Sequence, residues 1–437
     1  MSLVAGVLAV NAVFVAVGYA LLGRSRRRAS WAGVALLVGA GSVGTLVFFA
    51  TIAGLRASLA VAALAAAVLV VLGLIGLRGS EPQTPLPPAR VGPLAGAAFG
   101  VVAAVCAVGV IGGFRSAPWL DDAWGIWLPK GLALWHHGLD ERVFVPNGRF
   151  VTFGVPDYPL WWPVVTSLDV QAVGELDVRV MCAQLALLTV GFVGAVARLL
   201  WGYVRPSLLA GALLLLALAP ELWRHVQGGV ADLPLAIYVA LFALGLALWV
   251  GTGASFVLLV AGVSGVAAVQ IKTEGIAEVL IVAAVAAIAA RPRRRLRGLA
   301  LVTGLAAASA LPWLLWRWAH DVPSRTPLAD AFDFDRAGRA AQAVGELAAR
   351  LLDPLSWLVV VPLLVALGVL GYRRDRRIEW LLPTLGITAG FAFLVWAYWT
   401  NPDPIDFLLA TSAYRTVDPL VLTAAVLNPL LAERLLR

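Results

Sequence analysis

Two adjacent carboxylates, Asp121 and Asp122, stand between Trp119 and Trp124 in WLDDAWGIWLPK, just after a long apolar run. A carboxylate held among aromatic rings where a chain leaves an apolar phase is partly desolvated. That suits it to take a proton from a hydroxyl or to hold a cation. Asp is also a preferred helix N-cap, and that role stays open here. Lysine usage gives a second signal, because the chain has 31 Arg and only two Lys, at positions 130 and 272. Lys130 follows Asp122 by about two helical turns, which puts both on one face if Pro129 is tolerated. Lys272 opens KTEG at the mouth of an apolar run, with Glu274 and Glu278 one turn apart behind it. Ionisable groups at such a depth are costly, which makes them candidates for function. ADLPLA places Asp232 before Pro234 at another helix entrance, where capping alone would account for it. Arg415, in TSAYRTVDPL, offers either a planar fork for a phosphate or a snorkelling anchor. His136 and His137 read as a wet loop, and His225 beside Arg224 in ELWRHVQGG is the one neighbouring His/Arg pair.

The elements that must position these residues are set by hydropathy. Of the 437 residues, 61% are hydrophobic and 13% charged, and the mean hydropathy is +0.89, so the chain must live in lipid. Apolar runs recur at about thirteen places: 3–22, 31–53, 57–77, 92–113, 178–201, 207–219, 230–250, 255–271, 275–290, 298–318, 355–371, 380–399 and 417–432. Each is near the roughly 20 residues that cross a bilayer, with 207–219 and 275–290 among the shortest. The expected class is an all-α polytopic membrane protein. The first run is followed by Arg24, Arg26, Arg27 and Arg28 rather than by a small-residue cleavage site, and reads as a retained helix.

Orientation follows from the basic residues. One parity puts the Arg clusters at 24–28, 78–90, 198–205, 291–297, 373–377 and 434–437 in the cytoplasm, with the N-terminus outside and the C-terminus inside. That side then holds 19 Arg against four acids, a balance of +15. The other holds 14 basic residues against 21 acids, or −7, and together they make the chain's +8. The basic pI is thus a topology signal rather than a nucleic-acid footprint. Cys106 and Cys182 both fall in apolar runs, so neither a disulfide framework nor a cysteine metal site is expected.

Three helices at 1–78 read as an N-terminal appendage, joined by a Pro-rich cytoplasmic linker at 79–91 to a main unit at 92–437. Its long loops, 114–177 and 319–354, both face outward, and a fold that spends its extra residues on one side works there. Trp119, Trp124, Trp127 and Trp135 have the spacing of interfacial helices. Residues 333–352 form a second amphipathic stretch, with Ala340, Val344, Leu347 and Leu351 on one face. No repeat of 20 to 50 residues is visible, which weakens an inverted-repeat transporter reading.

Taken in order, Asp122 (or Asp121) after a helix exit, PDYPLWWP at 156–163, ADLPLA, KTEG and SAYR resemble the type C (GT-C) superfamily of membrane glycosyltransferases. That class includes protein O-mannosyltransferases and aminoarabinose transferases, and the resemblance covers residues 92–437. The chain departs from the family pattern in its three preceding helices, in lacking a soluble C-terminal domain, and in having no clear second carboxylate. The resemblance implies a polyprenyl-phosphate sugar donor, an inverting transfer to a glycan, lipid or protein acceptor, and an active site on the outer face of a bacterial cytoplasmic membrane. It implies a general base at Asp122 or Asp121, and donor phosphate contacts from Lys272 and Arg415, with Lys130 as an alternative. Tyr158 and Trp161 would pack on the sugar or the lipid, or anchor in the interface. Asp232, Glu274 and His225 are further candidate substrate contacts. Cationic side chains can carry the leaving group, so no metal is expected. Two other readings stay open: a transporter or flippase of an anionic lipid or glycan, and a polysaccharide ligase or polymerase using the Arg224–His225 pair.

Overall fold

A computed structural model of the chain describes residues 2–23, 29–76, 90–145, 155–322 and 338–437. Residues 79–89 of the 79–91 linker, the Arg24–Arg28 cluster and the first five residues of the 333–352 stretch lie outside the described residues. Among the described residues the fold is entirely helical. Its helices are α1 (Leu3–Leu22), α2 (Ala32–Ile52), α3 (Leu59–Gly76), α4 (Pro93–Arg115), α5 (Leu128–His136), α6 (Glu141–Phe144), α7 (Trp161–Val173), α8 (Val180–Leu200), α9 (Pro206–Leu218) and α10 (Pro220–Gly228). They continue as α11 (Asp232–Thr252), α12 (Ser255–Ile271), α13 (Glu274–Ala290), α14 (Leu296–Ala308), α15 (Leu311–Ala319), α16 (Gly338–Leu352), α17 (Val360–Asp375), α18 (Leu382–Thr400), α19 (Ile405–Thr416) and α20 (Asp418–Leu436).

Each apolar run is helical. Among the described residues nine helical stretches are long and apolar enough to cross a membrane, or ten if α9 and α10, bent by 49°, make one span. The protein is therefore a multi-pass membrane protein. The bend falls where Pro220, which has no N–H to donate, starts a new helix. The segments between the apolar runs 207–219 and 230–250, and between 380–399 and 417–432, are mostly helical too, as α10 and α19.

α11 lies at the centre, buried along nearly its whole length between α12, α20, α13 and α8. Of the three N-terminal helices, α2 packs on α8, α12 and α7, and α1 on α2, α3 and α7. The α1–α2 crossing is close because glycines face backbone. A Cβ on Gly39 would stand 1.7 Å from the Phe14 carbonyl oxygen, and one on Gly18 would stand 1.8 Å from that of Ala35. Small residues are what allow helix backbones to meet in lipid. Gly39→Val is therefore expected to lower the thermal midpoint in detergent, at the ~1–3 kcal/mol or more typical of overpacking. Gly211→Val, which meets open space, should leave it unchanged.

Charged groups gather at the two ends of this bundle. At one end Arg205 pairs with Glu433 at 3.4 Å, Arg434 with Glu379 at 3.5 Å, and Arg198 lies 4.1 Å from the Trp31 ring. At the other end, where α11 and α20 begin, are Asp232, Lys272, Arg415 and Asp418. The 19 residues of α20 separate the two ends by roughly 28 Å.

The candidate active-site chamber

The chamber is assembled at the starts and ends of helices. After α4 the chain turns against α10: the Trp119 N–H donates to the Gln227 carbonyl at 3.3 Å, and the Trp119 indole to that of Arg224 at 3.4 Å. The Trp124 indole closes the turn onto the Pro118 carbonyl at 2.9 Å. A π-helical turn, Ala123–Trp127, follows and leads into α5. Such wide turns recur at functional sites because they re-aim side chains. Asp122 precedes this turn, yet its side chain bonds no N–H there, so it is not a cap. Its carboxylate pairs instead with the Arg415 guanidinium, 293 residues away in the chain.

Asp232 likewise caps nothing. It lies buried between the two cations, one oxygen accepting from Lys272 Nζ at 2.9 Å and the other from Arg415 Nη1 at 3.5 Å. Lys272 breaks the chain between α12 and α13 and also meets Glu274 at 3.6 Å. Glu274 accepts from the Tyr158 hydroxyl at 3.1 Å. The Tyr158 ring stacks on Trp127 at 5.5 Å and lies 5.2 Å from the Lys272 ammonium. Burial works against charge on Lys272, but Asp232 and Glu274 outweigh it and hold the ammonium well above its ordinary range. Burial and the Glu274 charge raise the Tyr158 hydroxyl, which stays neutral and donates.

These groups line a cavity of about 500 Å³, with Asp121, Asp122, Tyr158, Lys272, Glu274 and Arg415 on its wall. α18 and α19 close the far side, where the Tyr398 hydroxyl meets Ser412 at 2.7 Å and Thr416 at 3.0 Å. A small void bounded by Asp232, Lys272 and Glu278 shares walls with this chamber. It also shares Glu278 and Pro419 with an apolar cavity of about 260 Å³. That second cavity runs between α11, α13, α18 and α20 as far as Glu379 and Arg434 at the opposite end.

The sequence candidates divide on this geometry. Asp122, Asp232, Lys272, Arg415, Glu274 and Tyr158 come together, with Asp121 exposed at the rim. Lys130, Trp161 and His225 do not reach the chamber wall. Lys130 is wholly buried and donates to the Val155 carbonyl, so the shared face with Asp122 does not form. Trp161 is wholly buried edge-on to Tyr238 at 5.3 Å, with its indole under Gly44. His225 is wholly buried between Glu221 and Asp418. Of the interfacial tryptophans, Trp119 and Trp124 are exposed but Trp127 is core. The Tyr398–Ser412–Thr416 network and the His225–Asp418 pair went unforeseen. Among the described residues no cluster of three or more His, Cys, Asp or Glu is placed to hold a metal.

Burial holds the Lys130 ammonium down to about 7, against the attraction of Asp157 and helped by the repulsion of Arg317. An unfolded lysine keeps its proton to about 10.4, so between these values the unfolded chain binds more protons. Stability should therefore rise with pH across that window. Lys130→Met should flatten the climb of the thermal midpoint between pH 7 and 10. An unchanged slope would contradict this.

No family model, no curated protein and no solved structure matches the chain. What fold and site define together is a class: a multi-pass helical membrane protein with a charged chamber at one end of its bundle and an apolar cavity beneath it.

Proposed function

We propose that the protein is a membrane glycosyltransferase of the type C kind, moving a sugar from a polyprenyl-phosphate donor to an acceptor on the outer face of a bacterial cytoplasmic membrane. One observation carries this reading. Asp122, Lys272 and Arg415, from three distant segments, meet at one chamber through Asp232, and that chamber shares walls through a small void with a cavity suited to an isoprenoid chain.

The donor phosphate would sit on Lys272 and Arg415, its chain directed into the apolar cavity between α11, α13, α18 and α20. Both cations are already matched by carboxylates, so an arriving phosphate competes with Asp122 for Arg415. Donor binding thereby frees Asp122 as a base next to the anomeric carbon. The acceptor hydroxyl attacks that carbon from the face opposite the phosphate, the bond from carbon to phosphate oxygen breaks, and the proton passes to Asp122. The lipid phosphate leaves with the bonding electrons, held by Lys272 and Arg415 in a poorly hydrated site where each contact is strong. The configuration inverts, and no step calls for a metal. In this reading the N-terminus is outside, and the thirteen apolar runs are thirteen crossings. The chamber's charges stand at helix ends rather than at mid-membrane, which favours transfer over passage of an anion across the bilayer.

The reading is tested by binding to the full chain in lipid nanodiscs. Polyprenyl monophosphate should bind at least tenfold tighter than the matching polyprenol, about 1.4 kcal/mol. Lys272→Gln should remove most of that difference. Equal binding of phosphate and alcohol to the wild type would sink it.

A further inference from the structure

α10 touches both halves of the chamber wall without lining it. One side receives Trp119 through the Gln227 and Arg224 carbonyls, at 3.3 and 3.4 Å. Gly229, at φ 75°, lies so close to the same segment that a Cβ would be 2.5 Å from Pro118 and 3.2 Å from Ala123. These residues flank Asp122. The other side presents His225, with Nδ1 2.6 Å from an Asp418 oxygen and Nε2 3.1 Å from Glu221. Both contacts are within ion-pair distance, so charge and proximity make the pairing. Asp418 is wholly buried and opens α20, three residues after Arg415. The Tyr414 and Trp357 rings stand 5.6 and 6.1 Å from the imidazole, and Arg224 lies 3.6 Å from Glu221.

We propose that His225 is a positioning residue: as the cation between Glu221 and Asp418, it ties α10 to the α19–α20 junction and so holds Asp122 and Arg415 in register across the chamber. Two buried carboxylates facing one imidazole depend on its proton to remain charged together. Without it they confront each other across a dry gap, and movement of α20 away from α10 relieves the repulsion. Arg415, one turn before Asp418, then moves relative to Asp122, which stays with α10. The strut concerns geometry, and only its effect on transfer rests on the chamber being a glycosyltransferase site.

The test is a pair of distances in the full chain in nanodiscs, with Cys106→Ser and Cys182→Ser as background. Spin labels at Gly125→Cys, where a side chain meets open space at the chamber wall, and Ala410→Cys report the chamber, and labels at Leu64→Cys and Leu301→Cys report the rest of the bundle. With His225→Leu, the chamber pair should shift or broaden by about 2 Å or more, the scale of helix shifts in switching proteins, while the bundle pair stays unchanged. Adding Asp418→Asn should restore much of the original distribution, because one of the facing charges is gone. His225→Gln, polar but uncharged, is read in the same way and guards against a misfolded leucine variant. An unchanged chamber pair, or equal broadening of both pairs, would overturn the proposal. Where the wild type transfers sugar, kcat should fall about tenfold or more with little change in KM, since displacement by an ångström alone is that costly. A wild type that transfers nothing would refute the catalytic reading, and the distances would still decide the strut.

Discussion

Replacing Asp122 by Asn is expected to lower the rate of sugar transfer by about 10²- to 10⁴-fold, the loss that removal of a positioned general base produces. The amide is nearly isosteric and can still accept a hydrogen bond from Arg415, so the chamber should keep its shape. What it cannot do is take the acceptor's proton. Because Asn competes less strongly than Asp for the guanidinium, the donor should bind as well or better, and the defect should fall on kcat rather than on KM for the donor. A structural role for Asp122 would instead move both together. Asp121, exposed at the rim, should tolerate the same change within a few-fold. Steady-state rates of the two variants beside the wild type separate the neighbours.

The second large effect is expected at Arg415. Arg415→Gln removes the group that joins Asp122 to Asp232, and transfer should fall by about 10²- to 10³-fold, the cost of losing one preorganised contact to developing charge. Here the donor KM should rise as well, because in the proposed mechanism the lost contact already operates on the bound phosphate. Two carboxylates, one of them buried, lose this partner and only Asp232 keeps Lys272, so the variant should also melt earlier, as when a buried pair loses one member. Arg415→Lys should recover only part of the activity, since a single ammonium cannot reach Asp122 and Asp232 with two arms at once. Equal activity of Arg415→Lys and wild type would argue against a forked contact.

Much of this chamber is legible in the linear chain, for identifiable reasons. Against 31 arginines a lysine stands out, and Lys272 is on the chamber wall. The same rarity marks Lys130, which turns inward to the Val155 carbonyl. Rarity reports that a position is constrained, not by what. Local rules offered helix capping for Asp122 and Asp232, and in both cases a distant cation takes the carboxylate instead. No spacing rule joins residues 293 apart, so only the packing of the Pro118–Ala123 segment on α10, and of α10 beside the α19–α20 junction, discloses their meeting.

His225 illustrates the opposite failure. Its i,i+4 relation to Glu221 was readable, but Asp418, the partner that buries it, lies far off in the chain. α19 has no clear signal in the sequence, because TSAYRTVDPL mixes polar residues with Pro419. In the fold Pro419 sits in the first turn of α20, where it costs no hydrogen bond. Trp161 and Trp162 have the composition of an interface belt, yet both are wholly buried. Depth is a property of the bundle rather than of the dipeptide. The amphipathic stretch ending at Leu352 is legible in part: its apolar residues recur at helical spacing and Leu347 and Leu351 are buried, but Val344 is exposed and Ala343 takes the buried place instead.

The most direct test is a discharge assay with the full chain in nanodiscs, native membranes as acceptor, and a panel of polyprenyl-phosphate donors carrying a radiolabelled sugar. The account predicts that label moves from one of these donors to the acceptor with the wild type, that chelating divalent cations does not stop it, and that Asp122→Asn leaves the label on the lipid. Label that stays on every donor with the wild type, or that moves equally fast with Asp122→Asn, would contradict it.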